Sequence, residues 1–218
     1  GIAWQVMNVN LCGYRIVDLS LLLVPGQEER RLELRRGVIE TDDSFYNEID
    51  TMSHIGTHVE TPLHFYGEGM GVADLPVETF VGEALLIDLG ALPDGADVLA
   101  EDLRAAGADE LKPGDVAVLT SGRAAEAAVH LTAEASAFLA DKGIKMLAFD
   151  DSLGLGRDKE TSRAVHDHLM KDGVPFLERL ANLQAVTQAR FVLMGLPWRV
   201  AGLDSSPVRA VALLKAEG

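Results

Sequence analysis

The chain has 218 residues, of which 48% are hydrophobic and 24% charged, as in a globular protein with a full core. Its 19 basic and 34 acidic residues give a formal net charge of −15, which argues against nucleic-acid and anionic-membrane partners. Cys12 is the one cysteine, so an intrachain disulfide and a thiolate zinc finger are excluded. No apolar run is long enough to span a membrane, and we expect a cytoplasmic protein with no membrane or nucleic-acid partner.

The first ninety residues predict strands and turns. Apolar or alternating segments are separated by Pro25-Gly26 and by a glycine-rich loop at residues 67–71. The predicted extended segments are Tyr14–Val24, Arg31–Glu40, Phe45–Met52 and Ala84–Leu89.

The second half predicts alternating helices and strands. Asp97 and Thr132 are the expected N-caps of two helices, and Gly143 is expected to end the second one. The predicted helices are Asp97–Ala106, Thr132–Lys142 and Glu160–Lys171; the predicted strands are Asp115–Thr120, Ile144–Phe149, Phe191–Leu196 and Val208–Lys215. The absence of a repeat or long linker predicts one α/β domain over residues 1–218, around a mixed sheet, with residues 1–12 as a peripheral arm.

Imidazole and carboxylate groups are concentrated between residues 54 and 64. His54, His58, Glu60 and His64 include half of the six histidines. In an extended strand, His58 and Glu60 point to the same side, and Gly56 lets the chain bend so that His54 can join them. A hydrogen-bonded polar loop would explain one such histidine, but the cluster favours a divalent metal site with nitrogen and oxygen ligands.

His64 has two interpretations. If His54, His58 and Glu60 are the only ligands, the ion keeps an open position for water, as in catalytic sites, and His64 can move a proton. If His64 is a fourth ligand, the site is closed. The spacing alone leaves both interpretations open.

A second group of polar residues lies downstream, at His166, His168 and Glu178. Two histidines on an amphipathic helix are typical of a solvated face. Glu178 lies among leucine and phenylalanine residues, so its carboxylate needs a partner, and a metal ion is one candidate.

Several segments resemble the cyclase family of metal-dependent hydrolases, which includes bacterial kynurenine formamidases and isatin hydrolases. Residues 54–64 are similar to the family pattern His-x-Gly-Thr-His-x-Asp-x-Pro-x-His, with Glu60 in place of the aspartate. Residues 15–20, 131–152, 166–170 and 178–183 resemble its first strand, middle unit and late motifs. The resemblance therefore extends over most of the chain.

The resemblance implies roles for six residues. His64 is implied as the proton-transfer residue, and a bridging Glu60 as the link between two ions. The implied metal ligands are His54, His58, Glu60, His166 and Glu178. The implied cofactor is one or two Zn²⁺ or Mn²⁺ ions. The implied fold is a swivelling β/β/α domain with a mixed, barrel-like central sheet, assembled as a homodimer or homotetramer.

We therefore expect a metal-dependent hydrolase of a small, possibly cyclic, amide or lactone substrate. Hydroxide activated by the metal attacks the carbonyl, and His64 carries the proton to the leaving group. The departure at Glu60 supports one alternative, a metal-binding or small-molecule-binding protein on the same scaffold that has lost catalysis.

Overall fold

The computed structural model describes residues 12–216, which form strands, four α-helices and short 3₁₀ turns. The arm predicted at residues 1–12 falls almost wholly outside this range. The strands are β1 (Tyr14–Asp18), β2 (Leu32–Ile39), β3 (Ser44–Thr51), β4 (His58–Glu60), β5 (Val81–Asp88), β6 (Asp97–Val98), β7 (Val116–Thr120), β8 (Val129–Leu131), β9 (Met146–Asp150), β10 (Leu153–Leu155), β11 (Phe176–Leu180), β12 (Arg190–Pro197) and β13 (Ser205–Lys215). The helices are α1 (Pro62–Tyr66), α2 (Ala100–Ala105), α3 (Ala133–Asp141) and α4 (Lys159–Met170); the 3₁₀ turns are Val77–Phe80, Ala108–Glu110, Ala125–Ala127 and Leu183–Ala185.

A closed, mixed sheet of seven strands forms the centre of the fold. Its order is β13-β12-β5-β7-β9-β11-β4, and β4 pairs with β13 to close the ring, while β1 pairs with the far end of β13. Strands β5, β7, β9 and β11 run parallel, and the remaining pairs are antiparallel. The predicted α/β class with a barrel-like mixed sheet is confirmed.

The two faces of this sheet carry separate hydrophobic clusters. Val118, Ala148 and Leu193 belong to the cluster inside the ring, whereas Leu119 and Leu147 belong to the cluster under the helices. Alternate residues of a strand point to opposite faces, so each strand supplies both clusters. The buried runs at 116–120 and 146–149 are therefore continuous rather than alternating, as expected for strands covered on both sides.

The ends of α3 confirm the expected capping, while the start of α2 does not. The hydroxyl of Thr132 accepts from the amide of Ala135 at 3.2 Å, and Gly143 follows the helix at φ +68°. Asp97 lies in β6 instead of capping α2. The cap is formed at Leu99, whose amide donates to Asp102 Oδ2 at 2.8 Å.

Strands β2 and β3 form a separate hairpin, hydrogen-bonded only to each other among the described strands. Leu34 pairs with Ile49, and Val38 pairs with Phe45, so these four side chains share one face. They are 49%, 54%, 51% and 62% exposed, in the same order. We call this surface the apolar hairpin face. Between residues 12 and 216 no helix is both long enough and apolar enough to cross a membrane.

Candidate metal centre

The three-residue strand β4 presents the first part of the histidine cluster. Val59 belongs to the cluster inside the ring, so His58 and Glu60 point to the opposite face, toward the helices. His58 pairs with Pro207 of β13 on one side and with Glu178 of β11 on the other. The predicted extended conformation of this segment is confirmed, and the cluster lies where the barrel closes.

His54, His58 and Glu60 converge on a single buried point. His54 Nδ1 lies 3.2 Å from His58 Nε2 and 2.9 Å from Glu60 Oε1, and His58 Nε2 lies 3.4 Å from Glu60 Oε1. Ligand atoms held at about 2.0–2.2 Å around a tetrahedral ion are separated by roughly 3.3 Å. The spacing of these three atoms therefore suits a small divalent ion, and all three residues are buried.

Backbone carbonyls fix the imidazoles. The Nδ1 atom of His58 lies 2.8 Å from the Gly56 carbonyl oxygen, which leaves Nε2 to face the cluster. Gly56 itself has φ +58°, the bend that brings His54 back toward β4. Arg30 Nη1 donates to the His54 carbonyl at 2.5 Å and holds this turn from outside.

A second group of possible ligands shares His54. Its Nε2 atom lies 2.8 Å from His64 Nδ1 and 3.5 Å from Asp204 Oδ2, and the last two atoms are 3.0 Å apart. His64 stands on α1, a short helix with a proline in its first turn, rather than in the loop that the sequence suggests. Unlike the first group, this one opens to solvent, because the His64 side chain is 38% exposed.

Glu178 faces the cluster from β11, where the strand also contains a bulge. Between Leu177 and Leu180 this strand has one more residue than β9 opposite it, and Arg179 adopts φ +59°. Leu177 and Leu180 both pack inside the ring. Glu178 follows Leu177 and pairs with His58 in regular alternation, so it points toward the cluster, with Oε2 3.8 Å from His58 Nε2. The extra residue returns Leu180 to the inside of the ring.

The pKa values of the two carboxyl groups shift in opposite directions. Burial alone would raise the pKa of Glu60, but hydrogen bonds from His54 and His58 outweigh it and lower the pKa. Burial and the nearby charge of Glu60 raise the pKa of Glu178 to about 8. A cation at this point would offset the charge of Glu60 and favour the ionised form of Glu178, so the pair of carboxyl groups suits a metal centre.

His166 stands on α4 at the edge of the site. Its ring stacks on Phe65 with centroids 4.0 Å apart, and its Nδ1 atom lies 2.7 Å from the Ser162 carbonyl oxygen. Burial lowers the pKa of His166, which keeps the ring neutral at neutral pH. The charge of Glu60 also acts on this pKa, although His166 is not in either three-residue group.

The structure therefore brings together most of the predicted site. His54, His58, Glu60 and His64 meet directly, Glu178 lies 3.8 Å from His58, and His166 is near enough for the charge of Glu60 to act on it. Sequence reasoning missed Asp204, in the turn before β13. Its carbonyl accepts from the amide of Thr61 at 3.0 Å, which fixes this turn to the end of β4. The one signal in the sequence that could have indicated it is an acidic residue, Asp204, in a turn segment that contains Gly202.

A cavity of about 240 Å³ leads to the cluster. It is lined by His54, His58, Glu60, Glu178, Arg179, Ile55, Glu28, Glu29 and Arg30. A neighbouring cavity of about 420 Å³ lies behind Glu178 and Arg179. The candidate centre is thus accessible to a small molecule rather than sealed in the core.

Residues 15–152 match the family model described as putative cyclase, which is more than half of the chain. The chain belongs to this family. A kynurenine formamidase from Bacillus mycoides (strain KBAB4) is 36% identical to this cyclase-family chain over 166 residues, which are 74% of the chain and 77% of the relative.

Solved structures have the same fold. Isatin hydrolase A from Labrenzia aggregata, bound to benzyl benzoate, superposes with a TM-score of 0.77 at 21% identity, covering 94% of this chain and 96% of its own. A potential metal-dependent hydrolase with cyclase activity superposes with a TM-score of 0.74 at 23% identity, covering 94% and 100%.

Gly56→Ala tests the bend that carries His54. A Cβ at this position would lie 2.7 Å from Leu23 Cδ2, in addition to the cost of the left-handed backbone. Gly67→Ala is the matched control, because Gly67 has φ +71° with nothing within 4 Å of its Cβ position. We expect Gly67→Ala to lower the free energy of unfolding by about 1 kcal/mol and Gly56→Ala by at least about 2 kcal/mol in urea titrations. Equal losses would show that the Leu23 contact does not constrain the bend.

Proposed function

We propose that this chain is a metal-dependent hydrolase that cleaves the C–N bond of a small amide or the C–O bond of a lactone. The observation that supports it most is the buried His54–His58–Glu60 group, with His64 and Asp204 on its solvent side. Kynurenine formamidase relatives and the cyclase family assignment favour amide hydrolysis.

In this proposal His54, His58 and Glu60 hold one Zn²⁺ or Mn²⁺ ion. When bound, the ion supplies Lewis acidity and lowers the pKa of a water molecule to about 7. Burial keeps bulk water away from the three residues, and the His58–Gly56 hydrogen bond presents Nε2 as the ligand atom. Oε1 of Glu60 is within 3.4 Å of both imidazoles, so the extra methylene relative to aspartate is accommodated.

His166 and Glu178 are the proposed partners of Glu60 for a second ion. His166 Nδ1 is occupied by the Ser162 carbonyl, which leaves Nε2 free of that bond. The raised pKa of Glu178 means that its ionised form gains from a nearby cation. The identity and the number of bound ions are measured in the metal-loading experiment described below, together with activity.

His64 is the proposed proton carrier, with Asp204 as its orienting partner. Hydrogen bonds from His64 and Ser53 outweigh burial and lower the pKa of Asp204, so this carboxylate is ionised at neutral pH. Its Oδ2 atom lies 3.0 Å from His64 Nδ1, which orients the ring and leaves Nε2 to take a proton from water and pass it to the leaving group. The open position of His64 suits this role better than that of a buried ligand.

We also propose that the chain assembles as a homodimer or homotetramer through the apolar hairpin face. An isolated two-stranded hairpin is marginally stable in water, and this one leaves four large apolar side chains half exposed. Contiguous exposed apolar side chains of this kind mark surfaces that associate with other proteins.

We propose the cytoplasm as the location of this protein, because a chain with a single cysteine suits a reducing compartment. Cell fractionation tests this proposal.

Activity is tested by loading the purified chain with zinc or manganese and assaying formylkynurenine, isatin, simple lactones and imides. We expect hydrolysis of at least one of them, loss of activity with chelator, and recovery when the metal is returned. Metal content is measured in parallel by mass spectrometry. Full metal occupancy with no hydrolysis of any substrate would instead support the inactive binding protein.

His64→Ala separates a proton carrier from a ligand. We expect kcat to fall by about 10²–10⁴-fold, because the proton transfer is lost, while bound metal stays at the wild-type ratio. His168→Ala is the matched control, since His168 lies on α4 with its Nδ1 atom 2.8 Å from Ser136 Oγ. Loss of metal from His64→Ala would assign His64 to the ligand set.

Phe45→Ser tests the assembly surface. Sedimentation equilibrium of the wild type should give two or four times the chain mass of 23.4 kDa, and Phe45→Ser should shift it toward 23.4 kDa. Tyr46→Ser is the control, because Tyr46 is an exposed aromatic residue on the opposite face of the hairpin. A wild-type chain that sediments as a monomer would contradict the assembly.

A further inference from the structure

Arg179 occupies a backbone conformation that its residue type disfavours. Four non-glycine residues between 12 and 216 have positive φ, namely Cys12, Asp43, Arg179 and Asn182. Arginine is the one long side chain among them, and glycine or asparagine would adopt φ +59° more readily. Strained residues persist where the surrounding structure fixes them, and they cluster at active sites and ligand contacts.

The strain is held from both ends of the residue. The hydroxyl of Thr57, at the start of the cluster strand, donates to the Arg179 carbonyl at 2.7 Å. The guanidinium is fixed by Asp151, in the turn after β9, with Nε 3.1 Å from Oδ1 and Nη2 3.2 Å from Oδ2. This forked pairing with a carboxylate has the bidentate geometry that orients an arginine side chain.

The Arg179–Asp151 pair stands between two cavities. Glu178 and Arg179 line both the 240 Å³ cavity at the candidate metal centre and the 420 Å³ cavity beside it. The larger cavity, which we call the outer pocket, is otherwise lined by Ala125, Phe149, Asp150, Asp151, Leu153 and Leu155. Four of these side chains are apolar, in contrast with the polar lining at the metal centre.

We propose that Arg179, latched by Asp151, is the specificity-determining wall that separates the metal centre from the outer pocket and limits the size of the group carried by the substrate. This inference rests on the proposed hydrolase function. The reacting carbonyl is bound beside His54, His58 and Glu60, and the rest of the substrate is directed toward the outer pocket. Glu178 cannot be the adjustable part of the wall, because it belongs to the proposed metal centre.

The position of Arg179 makes the wall removable without rebuilding the backbone. Glycine at this position relieves the left-handed strain, so Arg179→Gly removes the side chain and keeps the bulge. Removal joins a polar cavity to a partly apolar one. A single apolar contact changes enzyme discrimination by about tenfold or more, which sets the effect to be measured.

The test compares formanilide with N-formyl-2-naphthylamine, whose leaving amines are chemically similar and differ in size. For Arg179→Gly we expect the ratio of kcat/KM for the naphthyl substrate over formanilide to rise by about tenfold or more relative to wild type. Asp151→Asn keeps the bulk of Arg179 and weakens its latch, so we expect a smaller rise.

Asp43→Gly is the matched control. Asp43 has φ +56° in the turn of the β2–β3 hairpin, so it undergoes the same substitution in the same backbone region away from both cavities. Its ratio should equal that of wild type. The proposal is overturned if the kcat/KM ratio of the two substrates is unchanged in Arg179→Gly, or if it rises equally in Asp43→Gly.

Failure of the proposed function is read separately. If metal-loaded wild type hydrolyses neither substrate, the hydrolase assignment for this substrate class fails, and calorimetric binding of benzoate and 2-naphthoate carries the same comparison. A rise of about tenfold in relative affinity for 2-naphthoate in Arg179→Gly supports the wall. The proposal is overturned if the ratio of the two affinities is the same in the variant and the wild type. It is also overturned if neither protein binds benzoate or 2-naphthoate.

Discussion

The double pairing of strand β4 is the constraint on which the rest of the structure depends. Three residues, His58 to Glu60, hydrogen-bond to β13 on one side and to β11 on the other, and this closes a ring of seven strands. The same pairing places Glu178 opposite His58 and brings the turn containing Asp204 against Thr61. Closure of the barrel and assembly of the site are therefore one event, and Val59 anchors it by packing inside the ring.

The charges of the site residues then determine which ligand the site favours. Glu60 and Glu178 lie on one face beside buried imidazoles. Burial raises the pKa of both, but hydrogen bonds from those rings bring the pKa of Glu60 down, whereas the charge of Glu60 raises the pKa of Glu178 further. A cation relieves this conflict, since it lets both carboxylates ionise without mutual repulsion. This arrangement of side chains thus favours a positive charge at the site, and the surplus of acidic residues over the whole chain acts in the same direction.

The sequence predicted the parts of this arrangement that depend on local patterns. The period-two placement of His58 and Glu60, the Thr132 cap and the alternating strands could all be identified from spacing and residue type. The contribution of Asp204 could not, because it depends on a contact between residues 143 positions apart in the chain. The bulge at Arg179 was equally hidden, since an arginine gives no signal for a left-handed conformation. The predicted cap at Asp97 is wrong because Asp97 pairs with His130 in a small three-stranded sheet, a contact that local spacing does not reveal.

The pairing of β4 with β13 also has a consequence for synthesis. Residues 58–60 leave the ribosome long before residues 205–207, and at about 5–20 residues per second the delay is about 7–30 seconds. During that interval the histidines at residues 54–64 have been synthesised, but β4 still lacks its neighbouring strands β11 and β13. The nascent chain therefore does not have the ligand geometry of the folded site. Metal uptake at full affinity is accordingly post-translational. Long-range pairings of this kind also slow folding, so the half-made barrel is the stage at which the chain is most exposed to aggregation.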